Sequence, residues 1–233
     1  MDFETNFKKP FTDVKKLLIG IVFSILPIIN FFAMGYMLET AKRTMKKDPS
    51  LPEWTGWGNL FVKGLLSIVI EAIYFIPAAI VSMVILWPTM VSAMPMMMAG
   101  QVPNFGEMIA NLGSMAFGLI LAGLLALFAA YVAPSAIFHY INSGFNEAFN
   151  FGSVFKKAFS ANYGMAWILF IVYSMLLGSL LRFIPYVGSG AATFIAGITG
   201  YSLIAEAFGG IEMPVKKAVK VIAPKKAVKK KRK

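Results

Sequence analysis

The sequence predicts an all-α protein: a polytopic helical membrane bundle with a short N-terminal helical hairpin, four longer transmembrane helices and both termini cytoplasmic. Three observations lead there. The chain is 58% hydrophobic and 14% charged, with a mean hydropathy of +0.70, far more apolar than a soluble domain needs. Its apolar runs approach the length of about 20 residues that spans a bilayer. They are continuous rather than alternating, which argues against a barrel.

The elements follow in order. Residues 1–13 are polar and aromatic, and Pro10 stops any early helix. Val14–Leu26 is apolar but only about 20 Å long as a helix, too short to span comfortably. Pro27-Ile28-Ile29-Asn30 interrupts, and Phe31–Thr40 continues into Lys42, Arg43, Lys46 and Lys47. One kinked span and a hairpin of two short helices compete here. Lys8, Lys9, Lys15 and Lys16 precede the segment, so both flanks are basic. Short basic loops stay on the cytoplasmic side. A single crossing would put one cluster outside, which selects the hairpin. No small-x-small site follows the first apolar stretch at a suitable distance, so no cleavable leader is expected.

The stretch Pro49–Pro77, PSLPEWTGWGNLFVKGLLSIVIEAIYFIP, organises the remainder. Pro49 and Pro52 block a helix. Trp54 and Trp57 are amphipathic rings of the kind that settle at headgroup level. Leu60–Trp87 then reads as a span running outward, with Pro77 as a kink. Pro88–Gly106 holds no Lys or Arg and reads as an outer loop. Its run Met94-Pro95-Met96-Met97-Met98 is either a soft-metal site or an apolar loop lying on the membrane. Glu107–Ile141 returns inward, with Pro134 ending its spanning part. Phe145–Ser160 reads as an interfacial amphipathic segment. Met165–Phe183 crosses out, 185–190 turns, and Ala191–Phe208 crosses back.

Leu26-Pro27-Ile28-Ile29-Asn30, with Gly35-Tyr36 and Glu39 beyond it, is echoed by Ile184-Pro185-Tyr186-Val187-Gly188, Gly200-Tyr201 and Glu206. Duplication of a helical hairpin and a transporter-like repeat both account for the echo. LPIINFFAMGYMLE, LPEWTGWGNLFVKG, FNEAFNFG and IPYVG, in that order, resemble the archaeal and bacterial membrane proteins grouped as domain of unknown function 4013. The resemblance covers roughly residues 7–210 and is most specific at Leu51–Trp54. It implies a multi-pass protein of a prokaryotic cell membrane and brings no mechanism. The lysine tail and the Met-rich stretch fall outside the family pattern.

Two stripes of small residues recur every fourth position: Ser114, Gly118, Ala122, Ala126 and Ala130, and Gly188, Ala192, Ala196 and Gly200. Such faces let helix backbones approach closely, either within one chain or in a homo-oligomer. Glu71 is the one acid near the middle of a span. It sits about 16 Å past Leu60 and close to the midplane, where it should face protein and hold a proton. Ser67 and Tyr74 share its neighbourhood, as does Lys63, which at about 12 Å is too distant to pair with it. A neutral Glu71 hydrogen-bonded to another helix and a proton- or solute-handling Glu71 remain the two readings.

Without cysteine and with the single histidine His139, thiolate chemistry and a His-rich metal site within one chain are excluded. No phosphate loop, nucleophile arrangement or carboxylate dyad is visible, so neither an enzyme nor a cofactor is expected. An insertase would need a polar groove with a central arginine, and Arg182 falls near a helix end.

The net charge of +11 belongs to the C-terminus. Residues 214–233 hold 10 of the 22 Lys and Arg and none of the 11 acids. The chain therefore divides into a helical membrane domain, 1–213, and a disordered lysine-rich cytoplasmic tail, 214–233. In the tail Lys216, Lys217, Lys225, Lys226, Lys229, Lys230, Lys231, Arg232 and Lys233 can hold anionic lipid headgroups or nucleic acid through phosphates, or serve as a solvated topology anchor. Function is expected to be that of a non-enzymatic membrane component with anionic partners at the inner face. The alternative is a small solute or ion-coupled transporter with Glu71 in its path.

Overall fold

A computed structural model describes residues 2–101 and 105–209, and among these there is no strand. A first turn of helix, α1 (Phe3–Lys8), runs into a 3-10 turn at Lys9–Phe11. The helical hairpin follows as α2 (Val14–Ile25) and α3 (Asn30–Met45). Two long helices, α4 (Trp57–Met98) and α5 (Phe105–Ser143), come next. A 3-10 turn at Phe145–Phe149, the short α6 (Phe151–Ala158), α7 (Ala161–Leu181) and α8 (Val187–Gly209) complete the order. The helices α4, α5, α7 and α8 are long and apolar enough to cross a membrane.

Side chains set several of the boundaries. Asp2 accepts from the Thr5 amide, and Asp13 from the Lys16 amide at 3.0 Å, each occupying an N-terminal donor that the helix leaves free. Asn150 caps α6 in the same way. Lys9 on the first segment donates to Thr44 Oγ1 at 2.7 Å, and Lys16 reaches Glu53 at 2.6 Å. The chain start therefore lies beside the end of α3, and residues 14–45 form a hairpin rather than one kinked span.

The interior consists of α3 and α8. Of the apolar stretch of α8, 72% is buried, against 6% in α7. The contrast follows composition: α8 is rich in Gly, Ala, Ser and Thr and has the lowest mean hydropathy of the four long helices, 1.3. The outer surface is aliphatic instead. On α2 the exposed residues Val14, Leu18, Val22 and Leu26 recur every fourth position as a lipid-facing stripe. A surface more aliphatic than the interior suits hydrocarbon solvent, where helices gain from close packing rather than from escaping water.

The helices α3 and α4 pack backbone against backbone. A Cβ on Gly35 would stand 1.9 Å from the Leu60 carbonyl oxygen, and one on Gly64 2.0 Å from that of Phe31. Trp57 meets Phe32 while Lys63 reaches Glu39, yet Gly64 lies against Phe31. A register running in both directions means that the helices cross steeply over these turns.

Three expectations change. Pro77 lies within α4 as expected, but Pro88 and Pro95 lie inside it too, so the helix continues to Met98 and the methionine run occupies its last turns instead of a loop. Pro134 likewise sits within α5 and does not end it. A proline removes one donor, and the helical bonds on either side hold the element together where apolar surroundings offer the backbone no alternative partner. Trp54 is the third. It stacks on Tyr36 at 4.0 Å between ring centroids and its indole N–H donates to the Lys16 carbonyl, so it packs the bundle instead of resting among headgroups.

Replacing Gly35 with Ala should destabilise the fold by about 1–3 kcal/mol, because the added methyl meets backbone that cannot turn away. Helix propensity alone would favour Ala by about 1 kcal/mol. Gly123→Ala is the control, since nothing lies within 4 Å of a Cβ there. Thermal melting in detergent should rank Gly35→Ala well below Gly123→Ala; equal midpoints would contradict the backbone contact.

Candidate functional site

Charge is gathered at one end of the bundle. Asp2, Asn6, Lys9, Thr44, Asp48 and Glu206 surround a polar cleft of about 610 Å³ where α1, α3 and α8 end. Glu206 accepts from the Asn6 amide nitrogen and from the backbone N–H of Asp2, both at 2.8 Å. Lys9, only 2% exposed, has Thr44 as its hydrogen-bond partner. Burial holds its ammonium below the usual lysine range, against the opposing pull of Glu206, Asp48 and Asp2. Lys157 of α6 is buried too. It donates to the Ala207 carbonyl and lies 4.8 Å over the Phe208 ring, closing the C-terminal end of α8 with a cation. Burial also lowers its pKa. Gly209, the last described residue before the tail, lines the same cleft. The tail itself, 214–233, lies outside the described residues.

The segment Leu51–Trp54 stands at the join of the hairpin and α4. Tyr36 donates its hydroxyl to the Pro52 carbonyl at 2.9 Å, and Lys16 bonds both Leu51 O and Glu53. Next to this join Lys63 pairs with Glu39 across the α3–α4 crossing. Periodicity on a single helix could not reveal that pair, because its two members come from helices 24 positions apart in sequence.

Glu71 is half-buried on α4 and makes no hydrogen bond or ion pair with any described residue, in contrast to the inter-helix bond expected of it. Ser67, buried one turn earlier, donates to its own helix at the Gly64 carbonyl. Tyr74 turns the other way and donates to Ala148 O at 2.7 Å. The three do not converge on one point. Of the first small-residue stripe, Gly118 lies against Ile85 of α4, Ala122 is buried and Ala126 half-buried. In the second, Gly188 lies against the Leu181 carbonyl and Gly200 against Phe170 of α7. Ala192 and Ala196 instead line a lateral groove between α3, α7 and α8 with Arg182 at one end. That groove was not anticipated; a stripe of small residues marks close approach and says nothing of where a neighbour withdraws.

Because no partner is lost, Glu71→Leu should melt at or above the parent temperature, and Glu71→Gln should match it. A loss of about 1–3 kcal/mol in the Leu variant would reveal a hydrogen bond that this geometry lacks.

No curated protein and no solved structure matches this chain. A family described as a protein of unknown function (DUF4013) matches residues 18–187. The matched region begins within α2, takes in Leu51–Trp54 and the α3–α4 crossing, and ends at the first residue of α8. The chain belongs to the DUF4013 family, and its four long apolar helices fit a membrane protein.

Proposed function

We propose that this protein is a non-enzymatic, multi-pass component of a prokaryotic cell membrane whose basic end lies at the cytoplasmic surface and holds anionic partners there. One observation supports this above others: every lysine and arginine in residues 2–209 except Lys63 and Arg182 belongs to the end formed by α1, the α3 terminus, α6 and the α8 terminus. The positive-inside rule then orients the bundle. Gly209, the last described residue before the tail, lies at the same end, so lysines tethered there would add to a surface that is already basic.

Full-length protein in neutral-lipid nanodiscs should capture anionic vesicles or single-stranded RNA. Binding should fall on the order of a thousandfold between 50 and 200 mM salt. Removing residues 214–233 should abolish most of the capture and leave the melting temperature unchanged. Undiminished capture, or an unfolded membrane domain, would contradict the reading.

Glu71 favours a second reading, an ion-coupled transporter, because a half-buried carboxyl without a partner among the described residues is available to a proton or a solute. Glu71 lines neither the polar cleft nor the lateral groove, which weighs towards the first reading. A proton or solute flux in proteoliposomes that Glu71→Gln abolishes would replace the first reading with the second, and absence of flux from the parent protein would dismiss it.

A further inference from the structure

We infer that the groove between α3, α7 and α8 seats one anionic phospholipid of the bilayer, with its phosphate on Arg182 and an acyl chain along the groove. The groove is open on one side and offers about 630 Å³, within the size range of sites that hold one small ligand. Its α7 wall is formed by Phe170, Ser174, Gly178 and Arg182, every fourth residue on one face. Its floor is Ala192 and Ala196, which leave open the volume that larger side chains would fill. Tyr201 closes the inner end, its hydroxyl on the Met34 thioether at 3.6 Å, a weak acceptor.

Length and polarity both fit a lipid. From Ser189 to Tyr201 the α8 wall runs about 18 Å, close to one leaflet of a hydrocarbon core roughly 30 Å thick. The inner part is apolar. The outer end collects the Arg182 guanidinium with Tyr186 and Ser189, beside the α7–α8 turn. Phe183 and Tyr186 in this turn are each 80% exposed, as aromatic side chains at a membrane interface are.

Arg182 is what distinguishes the groove from the convex aliphatic faces around it. It forms no ion pair with any described residue and leans on the Phe183 ring at 5.5 Å. A guanidinium at headgroup depth recognises phosphate by paired hydrogen bonds. Its position at the top of an apolar groove couples that contact to chain burial. Water in the apolar inner part of the groove would find few partners, and an empty groove would forfeit dispersion contacts, so a chain from the surrounding bilayer is the natural filling.

The test is native mass spectrometry of the full chain released from nanodiscs of equal phosphatidylglycerol and phosphatidylcholine. The parent protein should retain one lipid, predominantly phosphatidylglycerol. Arg182→Gln should lower that preference about fivefold, the effect of one basic side chain near an anionic surface. Gly178→Leu, at a position with nothing within 4 Å of a Cβ, should fill the groove and expel lipid of either kind while melting stays unchanged. The proposal is overturned if Arg182→Gln keeps the parent preference, or if Gly178→Leu retains lipid as the parent does. Retention of detergent alone, or a headgroup preference traced to the basic end by its loss in Lys47→Gln, would overturn it equally.

Discussion

The α3–α4 crossing rests on contact between backbones. Gly35 and Gly64 carry no side chains, so α4 approaches α3 until carbonyl oxygens occupy the space where Cβ atoms would be. In hydrocarbon, helices gain little from hiding apolar surface, and dispersion at short range is what remains. The crossing also brings Lys63 to Glu39 and holds Leu51–Trp54 over Tyr36. From that join the long α4–α5 pair departs, and against α3 the buried α8 is packed. A wider crossing would leave Tyr36 without its carbonyl partner and Lys63 without its carboxylate, each a larger loss in apolar surroundings than in water.

The two hairpins, α2–α3 and α7–α8, repeat one plan. Each has a lipid-exposed first helix, a proline turn, and a buried second helix carrying a Gly-Tyr pair followed by a glutamate. The turns lie at the same end, where Gly190 rests against Ile25 and the Ile21 carbonyl. Both half-buried glutamates serve as inter-element acceptors, Glu39 from Lys63 and Glu206 from Asn6. The plan separates the chemistry of the two ends: glutamates and lysines gather where the inner helices finish, and Arg182 stands at the turns.

Much of this was legible in residues. Run lengths marked the four long helices, and Pro27 with the lysines on either side of it implied the hairpin that Lys9 and Thr44 close. The phenylalanines of 145–160, set beside Lys156 and Lys157, identified a segment that reads as interfacial instead of spanning. Other features were hidden for physical reasons. Pro88, Pro95 and Pro134 resemble the ends of spans, yet each removes only one donor and lies inside its helix. Gly35 is the one glycine of α3, and Gly64 is accompanied on α4 only by Gly58 six residues earlier, so no three- or four-residue periodicity announces a crossing. Trp54 looks like an interface anchor in sequence, and the rings of Tyr36, Phe23 and Phe194 around it make it part of the interior. Glu71 looked like a residue in need of a partner, and the fold supplies none among the described residues. The difference in burial between α7 and α8 did have a trace, in the lower hydropathy and glycine content of α8.

The account depends most on the two ends of the bundle lying on opposite faces of a membrane, with the basic end inward. The chain has no cysteine, so single cysteines at Ser50 and at Tyr186 can be labelled without background, and both positions are exposed. Membrane-impermeant maleimide applied to intact cells and to inside-out vesicles is the direct measurement. The account predicts that the cysteine at 186 reacts in intact cells alone and the one at 50 in inverted vesicles alone. Reaction of both from the same face would contradict it.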